Sequence, residues 1–308
     1  MNKRQKEIIN ASLKNEKDIL KSLKKLYEDA EKAIDEKIAH LMARKEVQDL
    51  QSIIYQLDYQ KALKKQIGAI LDDLNTNQFE SISEYLVKSY EDGFIGVMYD
   101  LDGQGIPLIF PIDQEQVSKA IVHDTKLSKP LYTRLGEDIA ALKKVIQSEL
   151  SRGLAQNLSY AEMAKLISGR TRTGYYRASR IARTEGHRIQ NEATYNAQQK
   201  AKESGADVLK QWDSTLDGRT RPTHRELDGQ IRELDEPFEI NGHTAQYPSG
   251  FGIAKEDVNC RCAMLQRARW ALDEAELDVL KEKAAYHGLD KTKDFEEYKQ
   301  KYLKGGIE

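Results

Sequence analysis

The sequence predicts a mainly α-helical protein with a small α+β module towards its C-terminal end, and three observations carry that prediction. The six prolines stand at 107, 111, 130, 222, 237 and 248, so the first 106 residues contain none. A proline-free stretch of that length can run as uninterrupted helix. Charged residues make up 32% of the 308-residue chain and aromatic residues 7%, the balance of long solvated helices around a modest core. After Gly205 glycine and proline become frequent, and Trp212, Phe238, Tyr247 and Phe251 supply bulky core material.

Each element has its own signal. Leu13, Leu20, Leu23, Tyr27, Ala30, Ile34 and Leu41 follow a 3-and-4 spacing, with Lys37 in one slot that should be apolar. Val47, Leu50, Ile54 and Leu57, then Leu63, Ile67, Ile70 and Leu74, continue the pattern. That is the narrow seam of a coiled coil or helical hairpin. It predicts a long helical arm over 1–92, packing on itself or docking on partner subunits. From Phe94 to Ile112 two apolar runs flank Asp102-Gly103-Gln104-Gly105, which predicts a β-hairpin near 94–112. Pro107 and Pro111 place its second strand at an edge. Helices then resume from Leu131, and Ser159 with Glu162 forms a capping box. A further helix is predicted from about Tyr175 to Glu203, stopped by Gly205. The domains expected are therefore the arm (1–92), a hairpin plus helical domain with a basic helix (93–204), a compact α+β module (205–269, its centre near 206–266) and C-terminal helices (270–308).

Composition narrows the function classes. Lys and Arg number 48 and Asp and Glu 50, a formal charge of -2, so no bulk electrostatic partner is implied. No apolar run approaches the roughly 20 residues that cross a bilayer, and no membrane partner is expected. Met-Asn-Lys-Arg-Gln-Lys-Glu at the start is charged with no apolar stretch behind it, so a secretory signal is not expected. Two cysteines, Cys260 and Cys262, cannot build a disulfide framework, and a reducing compartment is expected.

Two clusters carry chemistry. Between Lys165 and Arg188 stand Arg170, Arg172, Arg177, Arg180, Arg183 and Arg188, with Glu185 as the only acid. Ser168, Gly169, Thr171, Thr173 and Gly174 around the first arginines suit a flexible basic loop. The cluster is a candidate sequence-tolerant DNA contact, and the competing reading pairs these arginines with carboxylates of their own fold or a neighbour. The second cluster runs from Trp212 to Cys262. Asp217-Gly218 and Asp228-Gly229 are turn signals, and Asp213, Asp217 and Asp228 can hold arginines in bidentate pairs. Cys260 and Cys262, two residues apart, point to one side of an extended chain. Either His224 or His243 can complete a structural zinc site with them, against the plainer reading of two thiols in a core. A metal-dependent nuclease using His224, Asp217 and Asp228 is the alternative enzymatic reading. A cysteine nucleophile with histidine and aspartate is another. Neither shows base, nucleophile and orienting group at a known spacing.

The stretch from about Arg177 to Cys262 closely resembles the head-morphogenesis, or Mu F-like, minor head proteins of tailed phages. The resemblance rests on Arg183, Thr184 and Glu185, then Trp212, then Leu216-Asp217-Gly218-Arg219-Thr220-Arg221 with His224. Leu227-Asp228-Gly229, Phe238, Tyr247-Pro248 and Val258-Asn259-Cys260-Arg261-Cys262 follow in order. It covers roughly a third of the chain, with a weaker helical match upstream from about Leu131. It implies a structural, non-enzymatic component of the phage head, made in the host cytoplasm and resident in the capsid interior of the virion. The implied partners are portal protein, capsid or scaffold protein, and phage DNA through non-specific contact. The implied roles are head morphogenesis and DNA packaging or delivery. In this reading Arg183, Thr184, Glu185, Trp212, Asp217, Arg219, Arg221, His224, Asp228, Gly229 and Asn259 are structural. Some members of the family add a C-terminal toxin domain, and about 40 residues after the module are too few for one.

Overall fold

The computed structural model describes residues 1–47, 53–122, 131–156, 158–269 and 274–304. Its elements are α1 (Lys3–Val47), α2 (Ile53–Gly103), α3 (Gln114–Val122), α4 (Leu131–Ala155) and α5 (Tyr160–Glu203). The C-terminal part then alternates short pieces: β1 (Asp207–Asp213), α6 (Pro222–Leu227), β2 (Ile231–Arg232), β3 (Phe238–Ile240), β4 (His243–Ala245), α7 (Ala254–Asp257) and β5 (Ala263–Arg269). Helix α8 (Glu274–Tyr286), a 3-10 turn (Leu289–Lys291) and α9 (Phe295–Lys304) follow. The fold is mainly α with a small antiparallel β module, as the composition predicts.

The chain forms two compact units, 1–17 with 84–127 and 182–308, and 18–83 with 128–181. In the second unit α1 buries Leu23, Tyr27, Ala30, Ile34 and Ile38, while α2 buries Leu63, Ile67, Leu71 and Leu74. These seams repeat every three to four residues, which keeps one stripe of each helix inside. Ile38 takes the slot beside Lys37, and Leu13 of the expected seam is exposed in the first unit. Leu50 lies outside the described residues, as do the side chains of Leu41, Val47, Ile54 and Leu57.

The first unit corrects the expected β-hairpin. Residues 94–103 are the end of α2, and residues 106–112 form irregular chain, with Leu108 N donating to Ile106 O at 2.9 Å and no strand in this stretch among the described residues. Phe94, Ile95, Val97, Met98, Tyr99 and Leu101 are all buried. A helix enclosed on every side loses its polar face, and its apolar run reads like a strand. The Asp102–Gly105 turn is the helix C-terminus. Gly105 sits at φ 90 and Ile106 N donates to Leu101 O at 2.9 Å, which closes the last turn.

Helix α5 joins into one element the helix that the Ser159–Glu162 capping box announces and the separate helix expected from about Tyr175. Ser159 N donates to Glu162 Oε2 at 2.8 Å, the capping-box bond that starts it. Gly169 and Gly174 lie inside the helix rather than in a basic loop. A Cβ on Gly174 would stand 2.8 Å from the Tyr27 ring, so this glycine serves close helix packing.

The β module lies in the first unit. Its three-stranded sheet has the order β2-β1-β5, all antiparallel, with Trp212 opposite Met264 and Lys210 opposite Gln266. A second ribbon pairs β3 with β4 through the Asn241-Gly242 turn, where both residues have positive φ. Strand β1 turns Val208, Lys210 and Trp212 inwards by simple alternation.

Candidate metal centre

The module packs around Trp212, which is fully buried with Leu227, Phe238, Ile240, Ala245, Phe251, Cys260, Cys262 and Met264. The Trp212 ring meets Phe238 edge-on at 5.1 Å and His224 edge-on at 5.8 Å. Its Nε1 donates to Ser214 Oγ at 3.1 Å, which satisfies the one polar atom of the ring. Ser214 Oγ in turn donates to His224 O at 2.7 Å.

His224 is delivered by α6, a short helix whose first residue is Pro222. Proline suits that position because its fixed φ is already helical and its missing N–H has no partner there. The helix turns His224 into the core, 2% exposed. Cys260 and Cys262 lie on irregular chain just before β5, after a turn in which Cys260 N donates to Asp257 O at 3.1 Å, and both are buried. His224 Nδ1 lies 3.2 Å from Cys262 Sγ and 3.6 Å from Cys260 Sγ, and the three donor atoms fall within 4.8 Å of one another. Ser214 Oγ is 3.4 Å from Cys262 Sγ.

The opposite side of the imidazole faces α7. His224 Nε2 lies 3.2 Å from Glu256 Oε2, off the line of a hydrogen bond, and both side chains are 3% exposed. Thr223 Oγ1 donates to the same oxygen at 2.9 Å. The hydrogen bond from Cys262 first, and the His224 ring after it, hold Cys260 well below the usual thiol range against the cost of burial. The bond to Cys260, then burial and the Cys260 charge, push Cys262 upward.

His243 is a correction to the expected ligand set. It is exposed at the start of β4, next to the Asn241-Gly242 turn, and stands apart from the three converging donors. The position after a hairpin turn projects at the tip of the ribbon, away from the core that receives His224.

The remaining motif residues hold backbone. Asp217 takes the Arg261 guanidinium in a fork, both N–O distances 2.7 Å, and accepts from Arg219 N at 2.8 Å. Those donors, Arg261 foremost, keep its carboxyl well below the usual range. Arg221 Nη2 donates to Val258 O, and Asp228 Oδ1 accepts from Ser214 N at 2.8 Å. Gly229, at φ 77, donates from its N to Trp212 O at 2.9 Å. The three groups of the nuclease alternative therefore do not converge: His224 is buried against thiols, Asp217 is held by Arg261, and Asp228 caps the chain at Ser214.

The module is also tied to α5. Asn259, in a left-handed conformation at φ 55, donates from its N to Thr184 Oγ1 at 3.1 Å. Asn191 Nδ2 donates to Cys262 O at 3.0 Å and Asn191 Oδ1 accepts from Met264 N at 2.9 Å. Glu185 is buried beside Arg188, which donates to it at 2.9 Å, to Glu192 at 2.6 Å and to Ala120 O at 2.8 Å. Sequence reasoning missed Asn191, Glu256, Thr223 and Asp257. Asp257 accepts from the amides of Phe251, Gly252 and Ile253 at 3.2, 2.7 and 3.2 Å.

Of the six candidate DNA-binding arginines, four already hold carboxylates. In the first unit Arg183 meets Glu16 at 3.0 Å and Arg188 is paired as above. In the second unit Arg170 meets Glu149 at 2.8 Å and Arg177 meets Asp138 at 3.2 Å. Arg172 and Arg180 are exposed. Arg172 borders a cleft of about 760 Å³ that it shares with Glu28, Glu31, Asp35 and Glu36.

Residues 144–265 match the family model described as Phage Mu protein F like protein. The chain is 28% identical over 269 residues to "Minor head protein GP7" of Bacillus phage SPP1, covering 82% of this chain and 86% of that protein. It is 39% identical over 203 residues to "NAD(+)--arginine ADP-ribosyltransferase EFV" of Enterococcus faecalis, covering 65% of this chain and only 42% of the length of that relative. No solved structure matches the chain, and no helix among the described residues is long and apolar enough to cross a membrane. Residues 144–265 thus carry a Mu F-like module, and the chain is similar along most of its length to a protein named as a phage minor head protein.

Proposed function

We propose that the chain is a structural, non-enzymatic part of a tailed-phage head, acting in head assembly inside the capsid with portal and capsid or scaffold protein as partners. The observation that carries this reading is the extent of the match to a minor head protein, 86% of that protein's length. The module's interior supports it. Asp217, Asp228, Arg221, Arg261 and Asn259 are spent on fixing backbone. Contacts of that kind account for these polar groups by the fold itself, which supports a structural role without requiring a reactant.

DNA contact, with the packaging or delivery role that goes with it, is part of the reading in a narrowed form. Of the six arginines Arg180 is exposed outside the four carboxylate pairs above, and Arg172 borders a cleft of mixed charge lined by Lys24, Lys32, Glu28, Glu31, Asp35 and Glu36. Non-specific phosphate binding through so few cations gives a shallow salt dependence, about one unit of slope per phosphate contact.

The test is mass spectrometry of purified particles from the phage or prophage that encodes the chain. Peptides of this chain at a few copies per particle are expected, and particles that are complete and infectious without it would overturn the proposal. The relative named as an ADP-ribosyltransferase sets the enzymatic control. The purified chain is incubated with NAD⁺ and an arginine acceptor, and separately with DNA and divalent metal. No turnover is expected in either reaction. Turnover lost in His224→Ala would replace the structural reading with an enzymatic one.

A further inference from the structure

The geometry points to a buried zinc site formed by His224 Nδ1, Cys260 Sγ and Cys262 Sγ, with Glu256 fixing the histidine from behind. A tetrahedral zinc with Zn–S of about 2.3 Å and Zn–N of about 2.0 Å holds its sulfur and nitrogen ligands about 3.5 Å apart. The two sulfur-to-Nδ1 distances, 3.2 and 3.6 Å, bracket that value. Two thiols and an imidazole could reach such distances in an ordinary core, so the convergence alone is not the argument.

The second observation is the polar surroundings of His224. Its Nε2 is buried without a hydrogen-bond partner, yet it stands 3.2 Å from a carboxylate that is itself buried. A small rotation of the ring completes that bond. With the proton on Nε2 and directed at Glu256, the Nδ1 lone pair is free and aimed between the sulfurs. Metal-bound histidines generally carry this carboxylate behind the ring. A buried carboxylate needs hydrogen-bond donors, and Glu256 Oε2, which already accepts from Thr223 Oγ1 at 2.9 Å, faces the imidazole N–H that a metal on the other ring nitrogen fixes in place.

Charge balance favours the same occupant. Zinc displaces the thiol protons, which leave to solvent, and Zn²⁺ with two thiolates is neutral overall. A neutral centre suits a pocket walled by Trp212, Phe238 and Phe251. Three protein donors leave the fourth tetrahedral position to a small exogenous ligand such as water. The site joins α6, α7 and the approach to β5, three segments with little regular structure, so its work is to hold the module's fold. It adds to the structural reading above without depending on it, because a metal count is read whatever the module does in a particle.

The test is elemental analysis of the full chain purified under reducing conditions without added metal. About one zinc per chain is expected. Zinc should fall at least fivefold in Cys260→Ser and Cys262→Ser, fall in part in Glu256→Gln, and stay unchanged in His243→Ala. Because the cysteine variants can fail to fold, a chelator titration of the unaltered chain accompanies them. Removing zinc should lower Tm, and adding it back should restore Tm. Cobalt in place of zinc should give a thiolate-to-metal charge-transfer band that Cys262→Ser loses. Metal below about 0.1 per chain, with both thiols open to reagent after mild unfolding and no Tm response to zinc, would overturn the site. So would bound metal that survives replacement of both cysteines.

Discussion

Lys210 gives the sharpest test of the claim that the module's polar side chains are spent inside it. This lysine on β1 is 0% exposed. Its Nζ donates to Leu234 O at 3.0 Å, to Gln246 O at 3.1 Å and to Gln246 Oε1 at 2.5 Å, three uncharged oxygens. It also lies 5.2 Å from the centre of the Tyr195 ring and 5.3 Å from that of Phe238. Burial pushes its pKa from 10.5 down to about 8, against the opposing pull of Asp235 and Glu236. A lysine whose folded pKa is depressed binds fewer protons folded than unfolded between those two values. The charged form therefore costs stability below about pH 8, and the cost is relieved as pH rises towards 10.5. Worked through the linkage relation, the relief amounts to about 2 kcal/mol between about pH 7 and 9.5. The measurement is urea unfolding at half-unit pH steps over that range, on the unaltered chain and on Lys210→Met. Subtracting the two curves cancels the cysteines and the buried tyrosines, which titrate in both. The difference should climb by about 2 kcal/mol in favour of the lysine form. A difference flat to about 0.5 kcal/mol, or one that falls with pH, would refute an enclosed lysine on neutral acceptors.

Two further substitutions probe packing and capping. In Gly93→Ala the new Cβ would stand 2.3 Å from Gln190 O, a backbone atom of α5. The helix-propensity gain of about 1 kcal/mol is then outweighed by overpacking of about 1 to 3 kcal/mol or more. The melting midpoint should drop by several degrees, and an unchanged or raised midpoint would mean the two helices stand further apart. Asp257→Ala strips the acceptor from three successive amides. An expected loss of about 2 to 3 kcal/mol in urea unfolding follows from the unsatisfied donors, with Asp257→Asn recovering part of it. Equal loss in both variants would assign the effect to the charge rather than to the bonds.

The legible features were those that local chemistry writes directly. The absence of proline before 107 announced long helices, and the density of glycine, proline and aromatic residues after 205 announced the module. Cys260, Cys262 and His224 drew attention as a set because soft donors near a turn are conspicuous. What stayed hidden was whatever depends on a distant surface. Residues 94–103 read as strand because α2 is enclosed there on all sides, and nothing in the run records what encloses it. Gly174 read as a flexible joint because the Tyr27 ring beside it is almost 150 residues away in sequence. Glu256, in Ala-Lys-Glu-Asp, carries no signal of its own in the sequence, yet it lies against an imidazole. His243 looked as good a ligand as His224 because sequence does not say which turn folds inwards.

That contrast explains why the family pattern is readable across eighty residues although each piece alone is weak. The pieces are the two sides of single contacts. Thr184, on α5, accepts from Asn259 N, and Asn191, one helical stretch further on, bonds the backbone on both sides of Ala263. Asp217 grips Arg261, and Arg221 reaches Val258 O. Exchanging one member of such a pair strands the other as a buried or half-buried polar group, at about 1 to 3 kcal/mol each. Residues bound by mutual need of that kind are held in place by the fold's own contacts. The chain is similar to a protein named for a head component and to 42% of the length of one named for ADP-ribosylation, and a shared fold does not by itself carry either name's function across.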